Sequence, residues 1–542
     1  MTLSSTAEES NQMLSEKQLS IIEICIIAGL AAVPLFFSFP YRVNIFLSWE
    51  GAYRLSEGQI PYKDFGLPLG FVYWIVPALF FKIFGPYMIS LIKAQVFINI
   101  ISGLAFRSIL KTIGVNSGLR LISILVFCIS YSFFNFWPWY NHTVTVWGFV
   151  GLSFLLRYLL KDHKSLFLLL ASSFFYTLSF FTKQDGGGLA IVLGSALLIY
   201  HTIVQRNFKP LLFFVVFITG FFCLIIIPFL PYDFGYWFNY GQFPHYSRFS
   251  LSDVLKELLL NSQWLKFYFL IIVLILFIKV KDLKSFFWNQ DEMIFLLLTV
   301  GILVQAAIFQ VTSYTPPDNN IYFHSFAVVY IFSQIQASVN FQRFSRVVVM
   351  SALVMLWWSG VYWGYIERIA TRVFPKSEDT NTEVVSRHTY VIETDTTIDD
   401  SAWKFSELEV FKKIYMPEPT VEGVERIMNL EVVKGKEDLK VLNMSELTPL
   451  AHAMNYSLET GPGFPLWYHK GVSMFEREEE MIIERIDGQY YDLVLFEYIP
   501  FLNNFYPFNV RDALLKNYLK VDEFLAPRRP TNVNIEVYVK PK

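Results

Sequence analysis

Runs of about 20 mostly apolar residues recur through the first two-thirds of this 542-residue chain. A helix of that length crosses the roughly 30 Å hydrocarbon core of a bilayer. In lipid only helices and closed barrels satisfy their own backbone, so these runs restrict the fold more than any motif does. About eleven can be marked, at residues 20–40, 87–109, 119–137, 142–160, 165–182, 187–205, 210–231, 264–280, 291–312, 322–339 and 345–366. The expected fold is a polytopic α-helical membrane protein with about 11 transmembrane helices. Charge completes the division. Of 44 basic and 46 acidic residues, 23 and 16 lie in residues 1–366, a net of +7. The remaining 21 and 30 lie in residues 367–542, a net of −9, and there the apolar runs stop. The pattern divides the chain into a polar N-terminal tail (1–19), a membrane domain (20–366) and a soluble C-terminal domain (367–542). A mean hydropathy of +0.41 excludes a disordered chain or a single soluble globule.

Basic residues set the expected orientation. The connections after alternate runs hold Lys111 and Arg120, Lys161 and Lys164, Arg206 and Lys209, Lys279, Lys281 and Lys284, and Arg343 and Arg346. By the positive-inside rule this face is cytoplasmic, which puts the N-terminal tail inside and the C-terminal domain outside. The first run ends in Phe-Ser-Phe-Pro rather than a small-residue cleavage site and reads as a retained span. Cys25, Cys128 and Cys223 each lie in an apolar run and behave as small hydrophobes. Residues 67–84 contain Pro68 and Pro77 and are too short to span. They read as an interfacial helix within one long external loop, 41–86. A first helix of that loop is expected at Ser48–Glu57, with Ser48 as N-cap. The chain is thus read as a multi-pass protein of a bacterial inner (plasma) membrane.

The outer turns mix carboxylates, cations, histidines, amides and aromatics. Glu50 and Arg54 stand four apart on a helix, as a surface ion pair or as reacting groups. Asp64 either caps the following helix or acts on substrate. Lys183 and Asp185 adjoin Gly186, Gly187 and Gly188. The alternatives there are a snorkelling lysine with a turn aspartate, or an anion site where glycines expose backbone N–H groups. His142, His245 and His324 lack metal-ligand spacing and read as hydrogen-bonding groups. Trp137, Trp139 and Tyr140 lie where they can stack on a sugar. No Walker A or dinucleotide-binding glycine pattern occurs, which argues against an ATP-driven pump. Lys93 and Arg107 are the main charges within runs, too few to favour an ion-coupled carrier.

One segment carries a family resemblance. Trp49 to Gly70 contains Leu55-Ser-Glu-Gly58, Pro61-Tyr-Lys-Asp-Phe65 and Pro68, and Phe84-Gly85 follows. It resembles the first external loop of GT-C glycosyltransferases related to the dolichyl-phosphate-mannose–protein mannosyltransferases. Thr182-Lys183 is similar to that group's Thr-Lys at the same topological position. The resemblance implies inverting transfer of a sugar from a polyprenyl-phosphate-linked donor to a glycan, lipid or protein acceptor on the outer face. It also implies an acidic first-loop base. The family's usual acid falls on Asn44 here, which leaves Glu50 and Asp64 as candidates. Such a transfer needs a carboxylate for the acceptor's proton and cations for the departing lipid phosphate. Arg54, Lys63, Lys183 and Arg248 are candidates for the phosphate. Trp139, Tyr140, His142, Asp185 and His324 are candidates for the acceptor or sugar. No cofactor is required; a divalent metal is compatible with the chemistry, but no ligand spacing points to one. Nucleic acid is not an expected partner.

In the C-terminal part, residues 371–400 read as a polar linker. Leu439–Leu442, Tyr491–Phe496 and Asn534–Val539 read as strands and Val510–Tyr518 as a helix, together a small α/β domain. Gly461–His469 reads as a structural turn in preference to a sugar-contacting loop. Two other functions fit the same sequence: a carrier or flippase for a lipid-linked glycan, and a non-catalytic scaffold displaying the acidic domain.

Overall fold

The computed structural model describes residues 14–42, 45–66, 68–232, 234–238, 250–313, 322–335, 341–373, 403–466, 468, 472, 474–500, 507–527 and 533–541. Its first two-thirds is a helical bundle. The early helices are α1 (Glu16–Ala32), α2 (Ile45–Ser56), α3 (Ile75–Phe84), α4 (Met88–Thr112) and α5 (Ser117–Ser130). Then come α6 (Tyr140–Leu160), α7 (Leu166–Thr182), α8 (Gln184–Gln205) and α9 (Lys209–Ile226). The last group is α10 (Leu251–Lys256), α11 (Gln263–Lys279), α12 (Leu283–Trp288), α13 (Gln290–Ser313), α14 (Phe323–Ile335), α15 (Phe344–Trp357) and α16 (Ser359–Val373).

Each apolar run of the sequence falls on one of these helices, except 345–366, which covers both α15 and α16, and the helices are not equally long. Among the described residues, six segments have the length and apolarity of a membrane span: Glu16–Phe36, α4, α6, α8, Lys209–Phe229 and α13. Two bent pairs, Leu251–Asn261 with α11 and α15 with Ser359–Ala370, raise the number to eight. Apolar α5, α7 and α14 have only 14, 17 and 13 residues. At 1.5 Å per residue they reach roughly 20–26 Å. Length and composition therefore support six to eight spans, fewer than the eleven expected. Residues 72–84 fold as a 3-10 turn, Val72–Trp74, continued by α3, and do not make a span of their own.

Packing follows side-chain character. α6 lies between α4 and α7 and is largely buried, whereas α9 leaves Leu212, Val215, Val216 and Leu224 exposed, as a lipid-facing helix should. The sequence reading overlooked Glu23. This fully buried α1 carboxylate accepts hydrogen bonds from Arg107 Nε of α4 at 2.7 Å and Arg120 Nε of α5 at 2.8 Å. Arg120 is thus a buried ion-pair partner, not the free anchoring charge expected after the second run.

The C-terminal residues form two sheets. In one, β4 (Val441–Met444), β5 (Leu493–Tyr498), β6 (Leu519–Leu525) and β7 (Asn534–Val539) take the order β4-β5-β7-β6. β4 and β5 are parallel and the other pairings antiparallel. The second sheet places β3 (Ile414–Pro417) between β2 (Trp403–Phe405) and β1 (Phe39–Pro40). Because β1 directly follows α1, this sheet ties the C-terminal residues to the membrane helices. Their apolar cores merge as well: Tyr41, Trp49, Phe81 and Leu91 share one buried cluster with Phe411, Val424, Leu493 and Val537. The first loop is therefore clamped between the bundle and the C-terminal sheets.

Candidate active site

The first loop begins with α2, which starts three residues earlier than its sequence suggested. Ile45, Phe46 and Leu47 are buried, and burial repays extending the helix over them. Ser48 is consequently inside the helix rather than its N-cap, and its Oγ donates to the Pro138 carbonyl at 2.6 Å. Glu50 and Arg54 do pair at i, i+4, with Arg54 Nε 2.8 Å from Glu50 Oε1. The pair is buried, not superficial. Burial raises the Glu50 carboxyl above its ordinary range, opposed by the charge and hydrogen bond of Arg54. Arg54 also donates to Gln59 Oε1 at 2.9 Å and to the Glu459 carbonyl at 2.7 Å, and lies over Phe65 and Phe464.

The turn that follows is tightly specified. Asp64 Oδ2 accepts the Ile60 N–H at 2.7 Å, so the carboxylate closes its own turn instead of capping the next helix. Asp64 is only partly buried, and its other oxygen has no hydrogen bond among the described residues. Its carbonyl accepts the Gly461 N–H, while Gly66 exchanges backbone bonds with Phe464 and Leu466. The Gly461 loop is thus joined to the first loop by backbone bonds around one β-bridge, Gly66 with Pro465. Lys63 is exposed, 5.9 Å from the Tyr232 ring centre.

Lys183 is the extended residue between α7 and α8. Its Nζ donates to Asp185 Oδ2 at 3.0 Å and to Ser313 Oγ. Ser313, at the end of α13, donates to Asp185 Oδ2 at 2.8 Å. The ammonium also lies 4.9 Å from the Phe309 ring centre and 5.6 Å from that of Tyr140. Gly186, Gly187 and Gly188 lie inside α8 rather than in an anion-cradling loop. A Cβ on Gly187 would come within 2.3 Å of the Phe180 backbone, so this glycine lets α7 and α8 fold tightly together. Gly70 plays the same part for the first loop, where a Cβ would lie 1.8 Å from the Phe181 carbonyl oxygen. That close approach brings the loop against the Lys183 turn. A third segment joins them: Gln184 Nε2 donates to the Trp237 carbonyl at 2.8 Å, and Phe234 packs 5.3 Å from Tyr62.

Beside this cluster is a cleft of about 410 Å³ lined by Arg42, Phe134, Asn135, Phe136, Trp137, Trp139, His142 and Tyr365. His142 Nδ1 pairs with Asn135 Nδ2 at 3.0 Å. Trp139 packs at a tilt against Tyr140, ring centres 4.3 Å apart, and so links the cleft to Lys183. Aromatic faces with a few polar groups are suited to sugars or other amphipathic ligands.

No family model matches the sequence, and no curated protein matches it. Among solved structures, ArnT from Cupriavidus metallidurans in the apo state superposes with a TM-score of 0.50 at 10% identity, covering 96% of this chain and 99% of that one. The chain has a GT-C fold. ArnT from the same organism bound to undecaprenyl phosphate gives a TM-score of 0.47 at 10% identity over 96% and 97% of the two chains.

Within this GT-C fold the expected residues fall into separate groups. Tyr140, Lys183 and Asp185 converge, and Trp139 and His142 line the adjoining cleft. Asp64 and Lys63 occupy the first-loop turn, whereas Glu50 and Arg54 face the C-terminal domain through Glu459 and Tyr456. His324 is buried in an aromatic cluster with Trp264 and Trp358, its Nδ1 3.0 Å from the Tyr268 hydroxyl. Arg248, His245 and Asn44 lie outside the described residues. Ser313, Phe309, Arg42 and Asn135 were missed, because a single serine or phenylalanine at a helix end has no signature in sequence. Among the described residues no three His, Cys, Asp or Glu side chains converge as a metal site.

Proposed function

We propose that the chain is a glycosyltransferase that moves a sugar from a polyprenyl-phosphate-linked donor to an acceptor on the outer face of the membrane. The observation that carries this reading is the contact of Gly70 with Phe181, which seats the first loop against Lys183 at the amino end of α8. A fixed ammonium beside aromatic rings, at a helix end whose dipole favours negative charge, suits a lipid phosphate. Lys63, exposed on the first-loop turn beside Asp64, supplies a second cation. Of the two first-loop carboxylates, Asp64 is the better base, since Glu50 is buried and engaged by Arg54. Glu50 and Arg54 are then positioning residues that hold α2 to the C-terminal domain. The aromatic cleft next to Tyr140 is the place for the acceptor or sugar, with Trp139, His142 and Asp185 at its edge.

In the proposed reaction an acceptor hydroxyl attacks the anomeric carbon opposite the phosphate. The new C–O bond forms as the bond to the phosphate oxygen breaks. The acceptor proton passes to Asp64, and the electron pair leaves with polyprenyl phosphate, held by Lys183. Displacement from the opposite face inverts the anomeric centre. The test is turnover of a polyprenyl-phosphate sugar by the reconstituted protein, followed as acceptor-dependent release of polyprenyl phosphate. Asp64→Asn is expected to slow it about 10²- to 10⁴-fold while the variant still binds polyprenyl phosphate. Undiminished turnover removes Asp64 from the mechanism, and transport without acceptor-dependent release replaces the enzyme with a carrier.

A further inference from the structure

A second cleft, mostly apolar in its accessible lining but ringed by charged residues, lies at the opposite end of the bundle. α4 starts beside Tyr87, whose ring meets His452 of the C-terminal domain at 5.5 Å, and runs 25 residues to Thr112. Its far end is therefore roughly 36 Å from that domain. There a cleft of about 360 Å³ is lined by Ser108, Lys111 and Thr112 of α4, Arg157 of α6, Lys161 and Asp162 of the following turn, and Leu168 of α7.

Four features separate this cleft from an ordinary basic rim. Lys111, Arg157 and Lys161 come from two different helices and a turn and converge on one concavity, yet none forms an ion pair among the described residues. Asp162, the one carboxylate lining the cleft, forms no ion pair with them among the described residues; its Oδ1 accepts the Lys164 N–H at 3.2 Å. Ser108, which lines the cleft, has a buried Oγ with no hydrogen-bond partner among the described residues. Finally, Leu166 and Phe167 next to Leu168 are 45% and 68% exposed, giving the cleft an apolar flank facing lipid.

We propose that this cleft binds a phosphate group, carried by an anionic phospholipid whose acyl chains lie along α7. Three cations against one carboxylate match a phosphodiester. The volume suits a headgroup, and the buried hydroxyl of Ser108 supplies a neutral donor. Basic pockets between membrane helices are a general means of holding such headgroups. The site is independent of the sugar-transfer reading, since it lies at the other end of α4.

The test is retention of lipid by the full-length protein, purified with equal phosphatidylglycerol and phosphatidylcholine and analysed by native mass spectrometry. Wild type is expected to keep phosphatidylglycerol about tenfold over phosphatidylcholine, and Lys111→Gln/Arg157→Gln to abolish that preference. Lys281→Gln/Lys284→Gln removes as much charge from the same end of the bundle and should leave it intact. Ser108→Ala, which spares every charge, should weaken it severalfold. In a lipid-free arm, inorganic phosphate that stabilises wild type but not the cleft variant assigns the phosphate chemistry to a free ion and overturns the lipid source. Equal retention of the two lipids by wild type, or equal loss in both double variants, overturns the site.

Discussion

At the scale of single residues, Lys183 is the side chain on which most depends. Its ammonium touches a carboxylate, a hydroxyl and two aromatic rings contributed by three helices, so its position is over-determined. A charge-assisted hydrogen bond is worth about 1.5–3 kcal/mol, which corresponds to roughly 10- to 100-fold in affinity. Lys183→Gln should therefore weaken binding of polyprenyl phosphate by that factor in a titration with the purified protein. Unchanged affinity with a lowered melting temperature would make Lys183 a structural partner of Asp185 alone. Glu50 calls for a different measurement. Glu50→Gln leaves the buried Arg54 guanidinium without its counter-charge, at a cost of about 3 kcal/mol. The expected effect is a loss of thermal stability of that order. A fall in turnover with the melting temperature preserved would instead restore Glu50 as a base. In sequence, these two pairs looked alike, a carboxylate two or four residues from a cation. Only burial distinguishes them, and burial depends on partners more than 100 residues away, such as Ser313 for Lys183 and Glu459 for Arg54.

At the scale of elements, the site is set by how closely backbones approach. The first loop rests on the end of α7 through Gly70, with no room for a methyl group. Gly70→Ala must lift the loop from the Lys183 turn, and displacement of a positioned group by about 1 Å costs on the order of 10²-fold in rate. Transfer activity should fall by that amount, whereas Gly29→Ala in α1, with no atom near its added Cβ, should be silent. Equal activity of the two variants would disconnect the loop from the chemistry. This level was partly legible beforehand. Apolar period and length located the long helices of the bundle but not short α10 and α12, and Asn534–Val539 was read to the residue as a strand. The triple glycine misled, because the same residues serve an anion loop or a tight helix crossing, and only Phe180 behind Gly187 decides between them. The length of α5 was also hidden, since an apolar run continues past a helix end when the following turn is buried too. After α5, for example, Tyr131, Ser132 and Phe133 remain buried.

At the scale of the whole molecule, the C-terminal sheets and the first loop are joined by β1, a shared apolar cluster and the backbone bonds of the Gly461 loop. Sequence separated them at residue 367 because composition changes there, but pairings such as Phe39 with Ile414 leave no trace in composition. The coupling makes the stability of the domain a condition for the site, and Glu536 allows a test. This β7 carboxylate is 2% exposed and accepts bonds from Arg511 at 2.8 Å, Lys520 at 2.9 Å and the Tyr538 hydroxyl at 2.7 Å. Burial acts to raise its pKa, but those hydrogen bonds outweigh it and hold the group at about 2, below an ordinary 4.5. A folded-state pKa below the unfolded one stabilises the fold above the unfolded value. That contribution declines as pH falls from about 4.5 toward 2. Glu536→Gln should therefore be less stable than wild type at neutral pH, by roughly 2 kcal/mol, with the gap closing through that window. Tryptophan fluorescence during denaturant unfolding measures the gap, since Trp49 belongs to the apolar cluster the first loop shares with β7. If acid leaves the gap unchanged, Glu536 is not the linked group. If β7 loosens while Trp49 reports no change, the loop and the sheet fold independently, and the C-terminal domain is not a structural part of the site.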